Sequence, residues 1–220
     1  MLKMTDIGTV QLLEGLRTLQ VYSRHGVRGL RRAVGRTSPG LFLHEWLAQP
    51  GVVGSVWPSS RGLARCMTQR IDPQGDGLVV ELGAGTGVVT QALLEHGVSV
   101  DRLRVVERSP AFVQHLRKRF PSVTVVQGDA TELDGLLPEG MPVDAIVSSL
   151  PLRSLAAEDV QAIEDQWCRL VRPGGLLVQF TYALHGKSPD FKGWFLQCGR
   201  DFVMANLPPA KVMTFVRLAR

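Results

Sequence analysis

The sequence predicts an α/β chain: a doubly wound sheet of seven strands with an antiparallel last strand, preceded by a basic helical extension. Three observations carry this reading. From Val79 onward, short apolar runs alternate with helical stretches. Three of these segments close on groups that suit a nucleoside ligand: VVELGAGTG (Val79–Gly87), LRVVE (Leu103–Glu107) and GDA (Gly128–Ala130). The last two apolar runs flank Pro208, Pro209 and Ala210, a connection suited to an antiparallel pair.

Taken in order, the first 40 residues form a basic arm. Val10, Leu12, Leu13, Leu16, Leu19, Val27, Leu30 and Val34 recur near helical spacing, and arginines fill much of the surface from Arg24 to Arg36. Gly26 and Gly29 cost about 1 kcal/mol each relative to Ala and predict a break there. Residues 1–37 hold seven basic residues against two acidic ones, which accounts for the whole net charge of +5. Such an arm suits an anionic membrane, a nucleic acid, or simple packing on the domain.

The domain itself is expected over residues 41–220. Phe42–Leu47 reads as a short helix stopped by Pro50 and Gly51. Pro58, Ser59 and Ser60 open a second helix through Leu63, Ala64 and Met67, with either serine as its cap. Strand Val79–Leu82 then leads through the glycine turn to helix Thr90–Glu95. Strand Leu103–Glu107, helix Ala111–Arg119 and strand Val123–Gln127 follow. Strand Val143–Ser149, helix Glu158–Leu170 and strand Gly174–Tyr182 continue the alternation. Asp201–Leu207 and Lys211–Leu218 are the expected closing pair.

Composition excludes several classes. No apolar run approaches the roughly 18 residues of a membrane span, and Met1–Gly8 is mixed and polar, so a cytoplasmic location is expected. Cys66, Cys168 and Cys198 are scattered without a CxxC, which argues against a disulfide framework and against a metal site.

The glycine spacing is GxGxG, not the GxGxxG that sets a pyrophosphate on a helix N-terminus. Glycines at Gly83, Gly85 and Gly87 allow positive φ and close approach of a ligand. Glu107 lies where a carboxylate would meet ribose hydroxyls, and Asp129 can accept from an exocyclic amine. ELGAGTG, VVE and GDA together resemble the class I S-adenosylmethionine-dependent methyltransferases, whose domain is Rossmann-like. The resemblance implies S-adenosylmethionine as cofactor, held by Glu81, Gly83, Ala84, Gly85, Thr86, Gly87, Glu107, Arg108, Gly128, Asp129, Ala130 and Ser148.

The acceptor must be read from other residues. After the fourth strand, methyltransferases acting on planar base amines carry Asn/Asp-Pro-Pro-Tyr/Phe or Asn-Leu-Pro-Tyr, supplying a carbonyl and a stacking ring. Here the chain has Ser149, Leu150, Pro151 and Leu152, which suits an alkyl amine better. FLxxW, PGVVGSVWPSS, SSLPL, QFTY and NLPPAKV resemble the bacterial phospholipid N-methyltransferases, which convert phosphatidylethanolamine stepwise to phosphatidylcholine. That resemblance implies a phospholipid substrate, an arm bound to the inner face of the cytoplasmic membrane, and no nucleic acid partner.

Tyr182 and His185 are the expected catalytic residues, the first as a ring face and hydroxyl for the amine, the second as a base. Trp57, Ser59, Ser60, Arg61, Leu150, Pro151, Arg153 and Lys187 are the expected substrate contacts, with Ser59, Ser60 and Arg61 the first choice for the phosphate. Two other readings stay open: an RNA base methyltransferase using the arm for phosphates, and a catalytically silent membrane-binding module.

Overall fold

A computed structural model describes residues 60–185, 189, 191–206 and 208–219. The expected arm, the Phe42–Leu47 helix, Trp57, Ser59 and Lys187 lie outside the described residues.

The elements are α1 (Arg61–Thr68), β1 (Leu78–Leu82), α2 (Val88–Glu95), β2 (Leu103–Glu107), α3 (Pro110–Arg119) and β3 (Thr124–Gln127), then β4 (Val143–Ser148), α4 (Ala157–Leu170), β5 (Val171–Thr181), β6 (Phe195–Val203) and β7 (Ala210–Arg217). Short 3-10 segments occupy Ala130–Leu136, Leu152–Ser154 and Phe191–Gly193. The seven strands form one sheet in the order β3-β2-β1-β4-β5-β7-β6. The pairs among β1 to β5 are parallel, and β7 runs antiparallel between β5 and β6. The expected doubly wound sheet with an antiparallel last strand is therefore present.

Alternation along the strands splits the core into two layers. Val79, Val105, Val147, Val178 and Val212 pack with Leu63 and Met67 of α1, Leu93 of α2 and Leu116 of α3. Leu78, Val80, Ile146, Leu177 and Phe215 pack on the opposite face with Ile163 and Trp167 of α4 and with Phe191. β1 is buried along its whole length, as a central parallel strand covered on both faces must be.

Two strands differ from expectation by more than a residue. β6 spans Phe195–Val203 instead of Asp201–Leu207. Its register shifts between Gln197 and Gly199, and that bulge hides the period of an edge strand. The chain then turns at Asn206, whose side-chain amide donates to the Pro208 carbonyl at 2.7 Å. β5 starts at Val171, three residues before Gly174, because Pro173 and Gly174 sit in an irregular stretch between the Val143–Val171 and Ala145–Leu176 pairings.

Candidate functional site

The C-terminal ends of β1, β2 and β3 bring the three motifs together. Gly83, Gly85 and Gly87 all have positive φ, at 70°, 54° and 81°. Their reasons differ. A Cβ on Gly87 would lie 2.5 Å from a Phe120 ring carbon, so this glycine makes room for α3 to pack. A Cβ on Gly85 would meet nothing within 4 Å, which marks open space beside a bare backbone. The turn is pinned by Gly83 N–H donating to Val106 O (3.0 Å) and Gly87 N–H donating to Ala84 O (2.9 Å). Arg119 also donates to the Thr86 carbonyl.

Glu107 closes β2 and is 8 % exposed. One carboxylate oxygen accepts from Gly85 N–H at 3.0 Å and the other from Ser109 N–H at 2.9 Å, so the group is held rigidly beside the cradle. Each oxygen keeps a second lone pair for a hydroxyl. Asp129 accepts from the Thr131 N–H and hydroxyl, each at 3.0 Å, and faces Arg108 at 3.4 Å. Partial burial pushes the Asp129 carboxyl up, but Thr131 and Arg108 outweigh it and hold it below its ordinary value. Gly128 is needed locally, because a Cβ there would overlap Leu136. Ala130, buried, begins the 3-10 segment.

Glu81 is fully buried under this turn. One oxygen accepts from the Thr90 hydroxyl at 2.7 Å, and the other has no hydrogen-bond partner among the described residues. Burial pushes its carboxyl up to about 8 against the pull of Thr90, and the Glu107 charge adds to the rise. A protonated acid with an orphaned buried oxygen, beside the Glu107 carboxylate, suits a cationic ligand whose approach favours the charged form of Glu81.

The ends of β4 and β5 and the start of β7 form the other side. Ser148 is buried and its hydroxyl accepts from Leu150 N–H at 3.3 Å, turning the chain into the Leu150–Pro151 segment. Tyr182 is 46 % exposed and packs edge-to-face on Phe180 with centroids 5.3 Å apart. Burial of part of its ring raises the phenol's pKa, offset in part by a hydrogen bond with the Asn206 side chain. His185 is exposed, and no hydrogen bond joins it to another described residue. Arg61 and Arg153 are exposed. The Ser60 hydroxyl caps α1 by accepting from Leu63 N–H at 3.1 Å, and its own N–H donates to Asn206 at 3.0 Å. Ser60 thus caps the helix through its oxygen, and its O–H keeps a donor that this contact does not use.

Two residues that sequence reasoning left unassigned organise this side. Asn206, 4 % exposed, joins the start of α1, Tyr182 and the Pro208 carbonyl. Gln179, 3 % exposed, donates to the Leu150 carbonyl at 3.0 Å and so holds the Leu150–Pro151 segment against β5. Both open motifs already visible as strings, NLPPAKV and QFTY, but nothing in a string tells which polar side chain turns inward.

A methyltransferase-domain family model matches residues 79–175. The ornithine lipid N-methyltransferase of Singulisphaera acidiphila is 31 % identical over 175 residues, which cover 77 % of this chain and 91 % of the relative. The chain belongs to the S-adenosylmethionine-dependent methyltransferases. Among solved structures, this methyltransferase is similar to the N-methyltransferase NodS from Bradyrhizobium japonicum in complex with S-adenosylhomocysteine, with a TM-score of 0.58 at 16 % identity, covering 82 % of this chain and 99 % of that one. A shorter match, 38 % identical over 92 residues, links it to ribosomal RNA small subunit methyltransferase A of Cupriavidus metallidurans, covering 41 % of this chain but 32 % of that relative.

S-adenosylmethionine is the cofactor of this methyltransferase, and the residues present fit it. The open cradle at Gly85 admits the ligand, Glu107 suits the ribose, and the orphaned oxygen of Glu81 suits the positive end of the amino acid portion. Among the described residues, no cluster of three or more His, Cys, Asp or Glu is arranged to hold a metal, and no helix is long and apolar enough to cross a membrane.

Proposed function

We propose that this methyltransferase transfers methyl groups to the headgroup amine of a membrane lipid, taking phosphatidylethanolamine and its mono- and dimethyl derivatives toward phosphatidylcholine. The observation that carries the lipid reading is the 31 % identity, over 91 % of its length, to a relative named for N-methylation of ornithine lipid. That same relative favours a second acceptor, ornithine lipid. Both acceptors present an alkyl amine, which needs desolvation and loss of a proton but no carbonyl to relieve ring conjugation. The Ser149–Leu152 segment agrees with this, lacking the Asn and the ring that a base amine requires.

Bound S-adenosylmethionine supplies an already activated methyl group on a sulfonium. The chain supplies position and a dry setting for the incoming nitrogen. Tyr182 offers its ring face to the ammonium before the proton leaves and to the quaternary product afterwards. Its hydroxyl, held by Asn206, offers one polar partner to an otherwise desolvated nitrogen. Leu150 and Pro151, fixed by Gln179, exclude water from the same space. The arm over residues 1–37 brings the enzyme to anionic membrane, so the proposed location is peripheral on the inner face of the cytoplasmic membrane.

The test is radiolabelled methyl transfer by the purified chain to phosphatidylethanolamine, ornithine lipid and ribosomal RNA in parallel. Label in phosphatidylethanolamine is expected; label confined to ornithine lipid would reassign the acceptor, and label confined to RNA would overturn the lipid reading. Tyr182→Phe should lower turnover about tenfold and Tyr182→Ala further, with S-adenosylhomocysteine affinity unchanged. A fully active Phe variant would reduce Tyr182 to packing.

A further inference from the structure

We propose that Lys211 and Arg153 form the subsite that holds the acidic group of the acceptor headgroup, a phosphodiester or a carboxylate, beside the amine to be methylated. This rests on the aminolipid reading above and goes beyond it, since it assigns recognition of the anion to the β4–β5–β7 side of the site and away from the start of α1.

Lys211 lies at the beginning of β7, opposite Thr181 of β5 and Phe202 of β6. Because β7 is antiparallel, its first residues stand at the same sheet edge as the last residues of β5, where Tyr182 follows. The side chain is 4 % exposed, and its single hydrogen-bond contact among the described residues is a long one, 3.5 Å to the Leu184 carbonyl. No carboxylate pairs with it among the described residues. A buried ammonium without a counter-charge is costly, and the expectation for a folded protein is a carboxylate beside it.

Instead, the charged groups that act on it among the described residues are also positive. Burial lowers the Lys211 pKa, and the Arg200 and Arg153 guanidiniums add to the effect. Arg200 is two residues before Phe202 on β6 and so shares the sheet face of Lys211. Arg153 sits in the turn that follows β4, and Leu150 in the same segment is bonded to Gln179 of β5. Lys211, buried, with Arg153 adding to its positive surroundings, is stabilised by an anion that enters from outside.

The chemistry of the acceptors fits such an anion. In phosphatidylethanolamine the amine is separated from the phosphodiester by a short carbon chain, and in ornithine lipid it is separated from a carboxylate in a similar way. An amine at Tyr182 therefore puts the acid close by. Lys211 contacts the carbonyl of Leu184, two residues past Tyr182, so both stand at one end of the sheet, Lys211 on the face of Thr181 and Tyr182 on the face of Phe180, with the headgroup spanning the strand end between them. Phe202, 52 % exposed and directly opposite Lys211, gives this edge an apolar flank on which a lipid can lie.

The experiment measures kcat and KM for three acceptors in neutral detergent micelles: phosphatidylethanolamine, ornithine lipid, and a long-chain alkyl amine with no acidic group. Wild type, Lys211→Met, Lys211→Arg and Arg153→Ala are compared, with melting temperature and S-adenosylhomocysteine affinity measured for each. Lys211→Met and Arg153→Ala should raise KM for the acidic acceptors about ten- to a hundredfold, leave the alkyl amine unaffected and leave cofactor affinity unchanged. Lys211→Arg should restore most of the preference. A fall for one acidic acceptor alone identifies which acid the subsite takes. If Lys211→Met melts early, the exposed Arg153 still decides, because its truncation leaves the fold intact. Variants that keep the wild-type preference for acidic acceptors overturn the subsite alone. A wild type that methylates none of the three overturns the aminolipid reading and the subsite with it.

Discussion

At the residue scale, neighbouring glycines of one motif have opposite reasons for being glycine. Gly85→Ala meets only the backbone cost of positive φ, about 1 kcal/mol, because its Cβ enters open space. Its stability should fall little while S-adenosylhomocysteine affinity falls at least about tenfold, since that space belongs to the ligand. Gly87→Ala pushes into Phe120 and Leu116 and should lose about 1 to 3 kcal/mol in urea denaturation. Equal effects of the two on stability would remove the distinction. Glu81 gives a second test. Its carboxyl titrates near 8 when folded against 4.5 as its ordinary value, so the unfolded chain releases the proton first. The stability this proton confers is fully present below pH about 4.5 and is lost as pH rises through about 8, and Glu81→Gln should flatten that slope. Binding of the cationic cofactor between those limits should release a proton, visible in calorimetry as a heat that depends on the buffer's ionisation enthalpy.

At the element scale, the central strands were legible because each is a short apolar run bounded by turn residues, and the cofactor motifs were legible because strand ends and glycines stand next to one another in the chain. What escaped was set by distant contacts. The bulge at Gln197–Gly199 moved β6 towards the N-terminus relative to the reading from Pro208. The inward turns of Gln179 and Asn206 depend on partners 29 and 146 residues away. The far edge of the sheet holds another such contact. Asp144 of β4 accepts from Gly77 N–H and from the Arg102 guanidinium, both at 2.9 Å, fastening the entries of β1, β2 and β4. The Arg102 and Asp144 side chains are only 12 % and 13 % exposed, so Asp144→Ala takes the counter-charge from a nearly buried guanidinium that keeps only the carbonyls of Gly77, Asp72 and Pro73, and it removes a carboxylate from Arg172 as well. It should cost about 3 kcal/mol in denaturant unfolding with cofactor affinity unchanged, since the clamp lies at the end of the sheet away from the glycine turn.

At the scale of the whole molecule, the charge is divided: residues 38–220 are neutral, and residues 1–37 carry the entire excess of five. If the arm is the membrane contact, replacing Arg24, Arg28, Arg31 and Arg32 with Gln should abolish sedimentation with anionic vesicles, each basic residue contributing about 1 kcal/mol. Added salt should weaken the unaltered chain in the same assay, and salt-independent binding by the variant would transfer the contact to another surface. The joint between Ser60, Tyr182 and Asn206 has its own consequence for synthesis. The cofactor cradle draws on residues 81 to 129, which leave the ribosome well before Asn206. The acceptor side cannot close until Asn206 arrives, 146 residues after Ser60. A nascent chain therefore carries the groups that meet the methyl donor long before it carries the one that ties the acceptor side together.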